Sequence, residues 1–469
     1  MKIEQIYTGC LAEAAYYIQS KGEAIIIDPL RETAPYIERA EKDNATIKYV
    51  FLTHFHADFV SGHVDLAKKT GATIVFGPNA KADFDFHVAT DGEEFKIGEL
   101  TLKLLHTPGH TMESSSYLLL DKDGKENCVF TGDTLFIGDV GRPDLAVKSD
   151  ITQEGLAEYL FDSLRNKLMP LPDSTIVYPS HGAGSACGKN MSKETFDTLG
   201  HQKEVNYALR ADMTKPEFVK EVLTGLNPPP AYFPKNVAMN KSVNTGIDDI
   251  LKTGTIALDV DTFKAMASSE GAMIIDTRHQ TSFTKEHIPG SIFFGIDGGF
   301  APWIGTLVSD INQPIIIVAD EGREEEVVTR LSRIGYDNSL GYLKGGITAW
   351  KEAGLETTSI ISLQPSEIVE LVNAEKSNLV DIRKPSEFLS EHVVEAVNAP
   401  LDVINDQMDD LSKDITYHVH CAGGYRSVIY ISIMKSRGYH NLIDIAGGYG
   451  LIKETEGFHL SDYVCPTTL

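Results

Sequence analysis

The sequence predicts an α/β protein in which one large domain precedes two smaller, related domains. Three observations support this prediction: the length of 469 residues, the alternation of strand-like and helix-like stretches, and a repeat in the second half. At about 150 residues per domain, a chain of this length is expected to form about three domains. The hydrophobic content of 42% is that of a globular protein and excludes a collagen-like or wholly disordered chain.

Charge and cysteine content exclude several classes of function. Acidic residues outnumber basic ones by 67 to 42, and the net charge of −25 argues against nucleic-acid binding through a basic face. No apolar run reaches the ~18–20 residues that span a bilayer. Residues 1–7 lack the layout of a signal peptide, so we expect a cytoplasmic protein that does not bind membranes. The five cysteines are widely spaced without a CxxC pair, which indicates thiols rather than disulfides.

Residues 1 to about 220 alternate predicted strands and helices. The predicted buried strands are short β-branched or aromatic runs at residues 24–28, 49–53, 72–76 and 175–178. Residues 155–168 have the apolar spacing of a helix. Residues 226–254 begin with a proline-rich stretch, and three consecutive prolines continue neither a helix nor a central strand. This segment is predicted to be a linker or an extended covering segment.

The second half repeats itself with a period of about 105 residues, which predicts two α/β domains related by duplication. In each copy an apolar strand ends in an Asp, which is Asp276 or Asp381. Counted from that Asp, both copies have Arg two residues later, Phe seven residues later and His eleven residues later. Both copies then have a second strand, a helix that ends in Gly-Tyr, and a Gly-Gly pair. We therefore predict domains at residues 1–240, 251–357 and 360–469.

Histidine and aspartate residues of the first domain follow predicted strands. His54 and His56 come directly after one strand, in the sequence THFHADF. His110, Asp133 and His181 each follow another apolar run. Loops at one edge of a β layer can converge, and His and Asp are residues that bind first-row metals. A single His at a strand end is usually structural, but four such turns in one domain favour a metal site.

This pattern resembles the metallo-β-lactamase superfamily, whose signature is HxHxDH followed by a later His, an Asp and a His. The resemblance covers residues 1 to about 240 and implies an αββα sandwich with a metal site at one edge. In this chain Phe59 replaces the last His of HxHxDH. Phenylalanine has no lone pair to donate, so we expect the second site of two-metal members to be disabled. A water that bridges two metals would then be unavailable as a nucleophile.

The members of this superfamily that use a single metal are the persulfide dioxygenases, and the chain resembles them. The resemblance implies one Fe(II) per chain, held by His54, His110 and Asp133. Two His and one carboxylate leave three positions open, as in non-haem Fe(II) oxygenases, so a thiolate-type substrate and O2 could bind side by side. The residues then expected to orient the ligands or the substrate are His56, Asp58 and His181.

Two further residues of the first domain are candidates for substrate binding. Arg142 lies at residues 139–144, a stretch similar to the family segment in which an Arg faces the substrate; its alternative role is a surface ion pair. Cys187 lies in a glycine-rich loop directly after His181. This thiol could relay a persulfide, or it could belong to an ordinary tight turn.

The second copy of the repeat carries a candidate reactive thiol. Cys421 follows a strand and begins the loop CAGGYR, after which a helix is predicted. Loop amides and the helix N-terminus direct positive partial charge at the sulfur, and Arg426 adds to it, which favours the thiolate. Together with Asp381 and Arg383, the segment resembles the rhodanese sulfurtransferases across residues 360–469. The resemblance implies that Cys421 carries sulfane sulfur and that Arg426 belongs to its site.

The first copy lacks this thiol. Its strand ends in an acidic loop, in which Asp320 is predicted to stand where Cys421 stands and Arg323 opposite Arg426. A carboxylate forms no persulfide and would repel one. Residues 251–357 are therefore predicted to be a rhodanese-like domain without a catalytic cysteine, used for packing or docking.

The order of the domains predicts a fusion enzyme of sulfide detoxification. By these resemblances, the first domain oxidises a low-molecular-weight thiol persulfide with O2 to thiol and sulfite, and Cys421 passes sulfane sulfur to sulfite to form thiosulfate. One alternative is a glyoxalase II-like thioester hydrolase, which Phe59 disfavours. Another is a sulfur carrier or sensor that acts through Cys421. The identity of the thiol and the formation of a homo-oligomer stay open.

Overall fold

The computed structural model of the chain describes residues 1–147, 151–226, 228–374 and 376–465. The chain divides into two compact units. One unit comprises Met1–Asp249 with Ser332–Gly335, and the other comprises Ile250–Leu331 with Tyr336–Leu469. None of the helices in the described ranges is both long enough and apolar enough to cross a membrane.

Two mixed six-stranded sheets form the first unit. The strands of the first sheet are β1 (Lys2–Thr8), β2 (Glu13–Ser20), β3 (Glu23–Ile27), β4 (Thr46–Phe51), β5 (Thr73–Phe76) and β6 (His87–Val88). The strands of the second are β7 (Glu94–Ile97), β8 (Leu100–His106), β9 (Ser115–Leu120), β10 (Glu126–Gly132), β11 (Ile176–Pro179) and β12 (Asp197–Thr198). Both sheets keep the strands in chain order, with β12 and β7 at the two edges of the second. Strands β3 to β6 pair in parallel, and so do β10 and β11.

Helices cover the outer faces of both sheets. The helices of this half of the chain are α1 (Ala34–Lys42), α2 (His63–Thr70), α3 (Gln153–Ser163), α4 (Leu199–Val205), α5 (Lys215–Leu223), α6 (Phe233–Asn240) and α7 (Ile247–Gly254). One apolar core lies between the sheets, and a second and a third lie between each sheet and its helices. Because side chains of a strand alternate between the two faces, the central strands are apolar on both. The predicted αββα sandwich is confirmed.

The four predicted strands of the first half are confirmed, and the predicted helix forms as α3 with a π turn at Leu164–Leu168. The interpretation of residues 226–254 as a linker or extended segment is wrong for most of its length, because α6 and α7 lie there. Residue 227 lies outside the described residues. Pro234 occupies the first turn of α6, where the missing N–H would have had no partner in the helix.

Two parallel five-stranded sheets of identical topology form the second unit. The strands of the first are β13 (Ala257–Leu258), β14 (Met273–Asp276), β15 (Ile292–Phe293), β16 (Ile315–Val318) and β17 (Ser339–Leu343), in the order β13-β17-β16-β14-β15. Those of the second are β18 (Ser362–Leu363), β19 (Asn378–Asp381), β20 (Val397–Asn398), β21 (Tyr417–His420) and β22 (Leu442–Ile445), in the order β18-β22-β21-β19-β20. The predicted duplication therefore extends to the whole strand order.

The helices that accompany these sheets also correspond. Those of the first copy are α8 (Val260–Ser269), α9 (Gln280–Lys285), α10 (Phe300–Leu307), α11 (Glu324–Arg333) and α12 (Gly346–Glu352). Those of the second copy are α13 (Pro365–Asn373), α14 (Pro385–Ser390), α15 (Ile404–Gln407), α16 (Arg426–Ser436) and α17 (Gly448–Glu454). Short 3₁₀ turns lie at Tyr207–Leu209, Leu401–Val403 and Met408–Asp410.

The residues that mark the repeat have structural roles that are the same in both copies. Arg278 donates to both carboxylate oxygens of Asp276, and Arg383 donates to both of Asp381. The Phe and His of each copy stack with ring centroids 3.9 and 3.8 Å apart. In both copies this His is hydrogen-bonded through Nδ1 to the carbonyl oxygen of the Phe. These residues stabilise the fold of each copy, and the candidate reactive residues lie in the loops instead.

Strand register corrects one prediction about the first copy. The Asp that ends β14 pairs with Val318, whereas the Asp that ends β19 pairs with His420. The next residue is Ala319 in one copy and Cys421 in the other, so Ala319 takes the place that the sequence assigned to Asp320. Neighbouring apolar residues of a strand look alike in sequence, and only the hydrogen-bonded partner strand defines which of them are equivalent. The first copy still has no thiol at this position.

Replacement of Phe51 tests the packing between the two sheets of the first unit. This side chain is fully buried and contacts Phe95 and Tyr117 edge to face, with ring centroids 5.1 and 5.0 Å apart. Phe51→Ala is expected to lower the free energy of unfolding by about 3–5 kcal/mol. The matched control is Phe196→Ala, because Phe196 is 54% exposed. Thermal unfolding checks this, and equal decreases in Tm for the two variants would contradict the packing described.

Candidate functional site

Three buried side chains converge beyond the carboxyl ends of β4, β8 and β10. His54 Nε2 lies 3.8 Å from Asp133 Oδ2, and His110 Nε2 lies 3.5 Å from the same oxygen. One ligand atom from each residue lies within 4.8 Å of the other two. The structure therefore brings together the three side chains that the sequence predicted as metal ligands.

Hydrogen bonds hold the two histidine rings with Nε2 available. His110 Nδ1 lies 2.9 Å from the carbonyl oxygen of Arg142, which only accepts, so Nδ1 carries the proton. His54 Nδ1 lies 3.0 Å from Thr53 Oγ1, whose proton is donated to Asp28 at 2.8 Å. Burial and the neighbouring histidines hold the pKa of His54 well below its usual range. In both rings Nδ1 is engaged in a hydrogen bond, and Nε2 faces the shared carboxylate.

The carboxylate itself fits a bound cation. Both oxygens of Asp133 are buried and accept no hydrogen bond from the described residues. A buried carboxylate that accepts no hydrogen bond is costly, and a bound cation would compensate its charge. Two imidazole nitrogens and one carboxylate are donors for divalent first-row metals, including Fe(II) and Zn²⁺. The residues present therefore fit a metal of this kind.

The three residues predicted to orient ligands lie beside this triad. His181 Nε2 is 3.4 Å from Asp58 Oδ2 and 3.5 Å from Asp133 Oδ1. His56 Nε2 is 3.1 Å from Asp28 Oδ1. Burial opposes a charge on His56, but Asp28 outweighs it and raises the pKa of this imidazole. The Asp28 carboxylate fixes the orientation of the His56 ring, and an orienting role for His56 in catalysis stays a prediction.

Two further groups of buried donors meet the same distance criterion. They are His56 with Asp58 and His181, and Asp133 with His181 and Cys187. Phe59 is fully buried, and its ring lies 4.3 Å from that of His56 between centroids. Since these groups do not need a donor at position 59, Phe59 alone does not decide how many metals bind. One Fe(II) per chain stays a prediction.

Arg142 connects two loops of the site. Its side chain is buried, and its guanidinium donates to the two carboxylate oxygens of Asp144 at 2.7 and 2.6 Å. A further bond reaches the carbonyl oxygen of Ala186 at 3.3 Å, and the backbone N–H of Arg142 donates to the backbone carbonyl oxygen of Cys187 at 3.0 Å. The ion pair is buried rather than on the surface. Substrate binding by Arg142 stays a prediction.

The Cys187 thiol lies close to the carboxylate of Asp133, a candidate metal ligand. Its Sγ is within 4.8 Å of ligand atoms of Asp133 and His181, and the residue is 1% exposed. Burial, with Asp58 and Asp133 nearby, raises the pKa of the Cys187 thiol well above its usual value. The Cys187 thiol therefore lies beside the candidate metal donors Asp133 and His181. Its role in relaying a persulfide stays a prediction.

Sequence reasoning missed two residues on which the geometry depends. Asp28, at the end of β3, has φ of +50° and accepts hydrogen bonds from Thr53 and from Ser180. Gly141 packs against the backbone of Asp133, and a Cβ there would overlap its carbonyl oxygen. The only available signals were an Asp directly before a proline and a glycine directly before an arginine, which are both common in ordinary turns.

The candidate sulfur site lies in the second unit. Cys421 follows β21 and is 1% exposed. Its Sγ accepts a hydrogen bond from the Gly424 N–H at 3.1 Å, and its thiol contacts Ser427 Oγ at 3.6 Å. The backbone N–H groups of Tyr449 and Gly450 bind carbonyl oxygens at the start of the loop, at 2.6 and 3.0 Å. The loop thus holds a buried sulfur against a backbone donor.

Arg426 is the first residue of α16, so the free N–H groups of this helix begin at the Cys421 loop. Its guanidinium is bound by both carboxylate oxygens of Glu387, at 2.7 and 2.8 Å. The positive charge of Arg426 is therefore compensated by a neighbour within the same domain. A role for this residue in the sulfur chemistry stays a prediction.

Gly141 offers a test of the metal site. Gly141→Ala is expected to displace the Asp133 backbone and weaken metal affinity about tenfold or more, as changes next to metal ligands do. The matched control is Gly9→Ala, because a Cβ at Gly9 meets nothing within 4 Å. Metal titration of the apoprotein measures the affinity. Equal affinities in the two variants would show that the close approach of Gly141 does not position the carboxylate.

Family models match most of the chain. The metallo-beta-lactamase superfamily model matches residues 8–181, and the rhodanese-like domain model matches residues 259–353 and 364–455. The human mitochondrial persulfide dioxygenase ETHE1 is 31% identical over 209 residues, which are 44% of this chain and 73% of that protein. A cytoplasmic hydroxyacylglutathione hydrolase from Arabidopsis thaliana is 33% identical over 186 residues, which are 39% of this chain and 67% of that protein.

A solved structure supports the same assignment. A metallo-beta-lactamase from Staphylococcus aureus subsp. aureus COL has a TM-score of 0.64 and 29% identity, and the match covers 73% of this chain and 98% of that one. Fold, donor set and relatives agree with the resemblance found in the sequence. The chain belongs to the metallo-β-lactamase superfamily, as a fusion in which rhodanese-like domains follow the metallo-β-lactamase domain.

Proposed function

We propose that this chain is a non-haem Fe(II) persulfide dioxygenase fused to a rhodanese sulfurtransferase. The observation that carries the proposal is the buried triad of His54, His110 and Asp133, with two available Nε2 atoms and an unpartnered carboxylate. Persulfide dioxygenases are among the relatives that share more than two thirds of their length with this chain. The proposed role is sulfide detoxification in the cytoplasm.

The first domain would act on a low-molecular-weight thiol persulfide. In the proposed reaction RSSH, O2 and water give RSH, sulfite and two protons. Bound Fe(II) would supply the redox chemistry that O2 requires and that Zn²⁺ lacks. His54 and His110 would hold the metal through Nε2, and Asp133 would compensate part of its charge. Arg142 and Cys187 are the proposed substrate-binding residues, because they connect the loops next to this carboxylate.

Cys421 would then use the sulfite. Its sulfur attacks the outer sulfur of RSSH, the S–S bond breaks, and RSH leaves while Cys421 holds the sulfane sulfur. Sulfite attacks that sulfur, and thiosulfate leaves as the Cys421 thiolate is restored. The Gly424 N–H, 3.1 Å from Sγ, stabilises negative charge on the sulfur, and the buried position of Cys421 keeps water away from the persulfide.

A second candidate function is a thioester hydrolase of the glyoxalase II kind. Hydroxyacylglutathione hydrolases are also relatives, and the donor group of His56, Asp58 and His181 is close enough to hold another metal. The two candidates differ in metal and reaction: zinc with thioester cleavage, or iron with oxygen uptake. A sulfur carrier or sensor would bind sulfur at Cys421 without turnover at the metal site.

Loss of a metal ligand tests the first reaction. His110→Ala or Asp133→Ala removes one of three protein donors. Mutation of a residue that only contacts a metal ligand already lowers metal affinity or activity by up to about a hundredfold. Iron content and oxygen uptake are therefore expected to fall by about this factor when a ligand itself is lost. His201→Ala is the control, since His201 is exposed and pairs with Asp197 at 2.6 Å. Iron analysis and oxygen uptake with a persulfide measure both. Full iron content and normal turnover in His110→Ala would disprove the ligand assignment.

Replacement of the second thiol tests the sulfur transfer. Cys421→Ser has no sulfur to carry, so thiosulfate formed by the enzyme is expected to fall to background while oxygen uptake persists. Asp320→Ser, in the copy without a thiol, should leave the product ratio unchanged. The measurement is sulfite and thiosulfate at matched oxygen consumption, corrected for thiosulfate that forms spontaneously. Parental amounts of thiosulfate from Cys421→Ser would refute the sulfurtransferase assignment.

A further inference from the structure

Tyr425, within the Cys421 loop, is held by the copy that lacks a thiol. Its Oη donates to the carbonyl oxygen of Gly295 at 2.6 Å, and its ring lies 5.3 Å from that of Phe293 between centroids. A Cβ on Gly298 would overlap the Tyr425 ring, and a Cβ on Gly295 would lie 3.1 Å from it. The two glycines therefore form a seat that fits this ring only because they have no side chain.

The seat is braced by two arginines of its own domain. Arg330 on α11 donates to the carbonyl oxygen of Ile296 at 2.6 Å. Arg323, which the sequence places opposite Arg426, pairs with Asp297 at 2.8 Å. Both bonds hold the segment at residues 295–298 from the side of α11.

Tyr425 is the next residue in the chain after Gly424, whose N–H faces the sulfur of Cys421. Gly424 has φ of +85° and donates to Cys421 Sγ, and Tyr425 directly follows it. A ring fixed by a hydrogen bond and by a close-fitting seat limits how far this short segment can rotate. The direction of the Gly424 N–H therefore depends on a contact made outside its own domain.

We propose that the first rhodanese-like domain is a positioning part of the sulfur site, which seats Tyr425 on Gly295 and Gly298 and thereby holds the Gly424 N–H against Cys421. Its catalytic consequence rests on the proposed sulfurtransferase function, whereas its effect on thiol reactivity does not. A domain without a thiol then has a defined task in sulfur transfer. Tyr425 is a positioning residue in this scheme, since it acts through Gly424.

The sharpest test changes a residue in the other domain. Gly298→Ala pushes the Tyr425 ring from its seat while every residue of the Cys421 loop keeps its identity. Alkylation of Cys421 by iodoacetamide is expected to slow about threefold to tenfold near neutral pH, the effect of one lost hydrogen bond. The pH midpoint of alkylation should move upward, because the thiolate loses a donor. Mass spectrometry of the Cys421 peptide separates it from the other four cysteines.

Further variants separate positioning from docking and from folding. Tyr425→Phe keeps the ring and loses only the bond to Gly295, so it should shift alkylation in the same direction by a smaller factor. Ser432→Ala removes the bond that Ser432 Oγ accepts from the Phe293 N–H at 3.0 Å, away from the loop, and should alkylate like the parent. Thermal unfolding of the full chain checks that every variant folds.

The catalytic readout is thiosulfate formation from a persulfide and sulfite. Gly298→Ala should lower kcat by the same factor as alkylation and leave KM for the persulfide unchanged. Parental alkylation profiles in both Gly298→Ala and Tyr425→Phe would overturn the proposal. Equal effects of Ser432→Ala and Tyr425→Phe would overturn it too, because domain docking in general would then be responsible. If alkylation shifts as expected while the parent forms no thiosulfate, the positioning role stands and the sulfurtransferase function fails.

Discussion

The candidate metal site depends on one buried carboxylate, Asp28, that lies outside its groups of candidate donors. Asp28 accepts hydrogen bonds from the N–H and the hydroxyl of Thr53 and from the hydroxyl of Ser180, each at 2.8 Å, and faces His56 at 3.1 Å. Thr53 and Ser180 directly precede the first and the last histidine of the site. A single side chain at the end of β3 therefore sets two loops from opposite sheets. Its left-handed backbone, which Asp tolerates better than most residues, aims the carboxylate at both.

The two candidate sites solve opposite electrostatic problems. Around Asp133, buried acceptors lack donors, and a cation is what completes them. Around Cys421, a buried sulfur faces backbone donors, and the Gly424 N–H donates to it.

The duplicated domains show which residues a fold retains when its chemistry is lost. The buried pairs of Asp276 with Arg278 and of Asp381 with Arg383 are the same in both copies, since each one ends a strand and fixes the following turn. The loop after the next strand has no such duty and has diverged. The copy that has no thiol there is the one that accepts the hydrogen bond of Tyr425 from the neighbouring copy.

The sequence by itself determined the buried strands that it named, the duplication, and the donors at the strand ends, because strand periodicity and turn chemistry are local properties. It failed where a contact joins distant segments. Three features depend on which strands lie side by side: the approach of Cys187 to Asp133, the hydrogen bonds that Asp28 accepts, and the place of Ala319. The tyrosine seat depends on a second domain. Helix α6, after the prolines, depended on the packing of Val237 against the sandwich. Those features were decided by tertiary structure, since hydrogen-bond direction and close packing exist only between segments that folding has brought together.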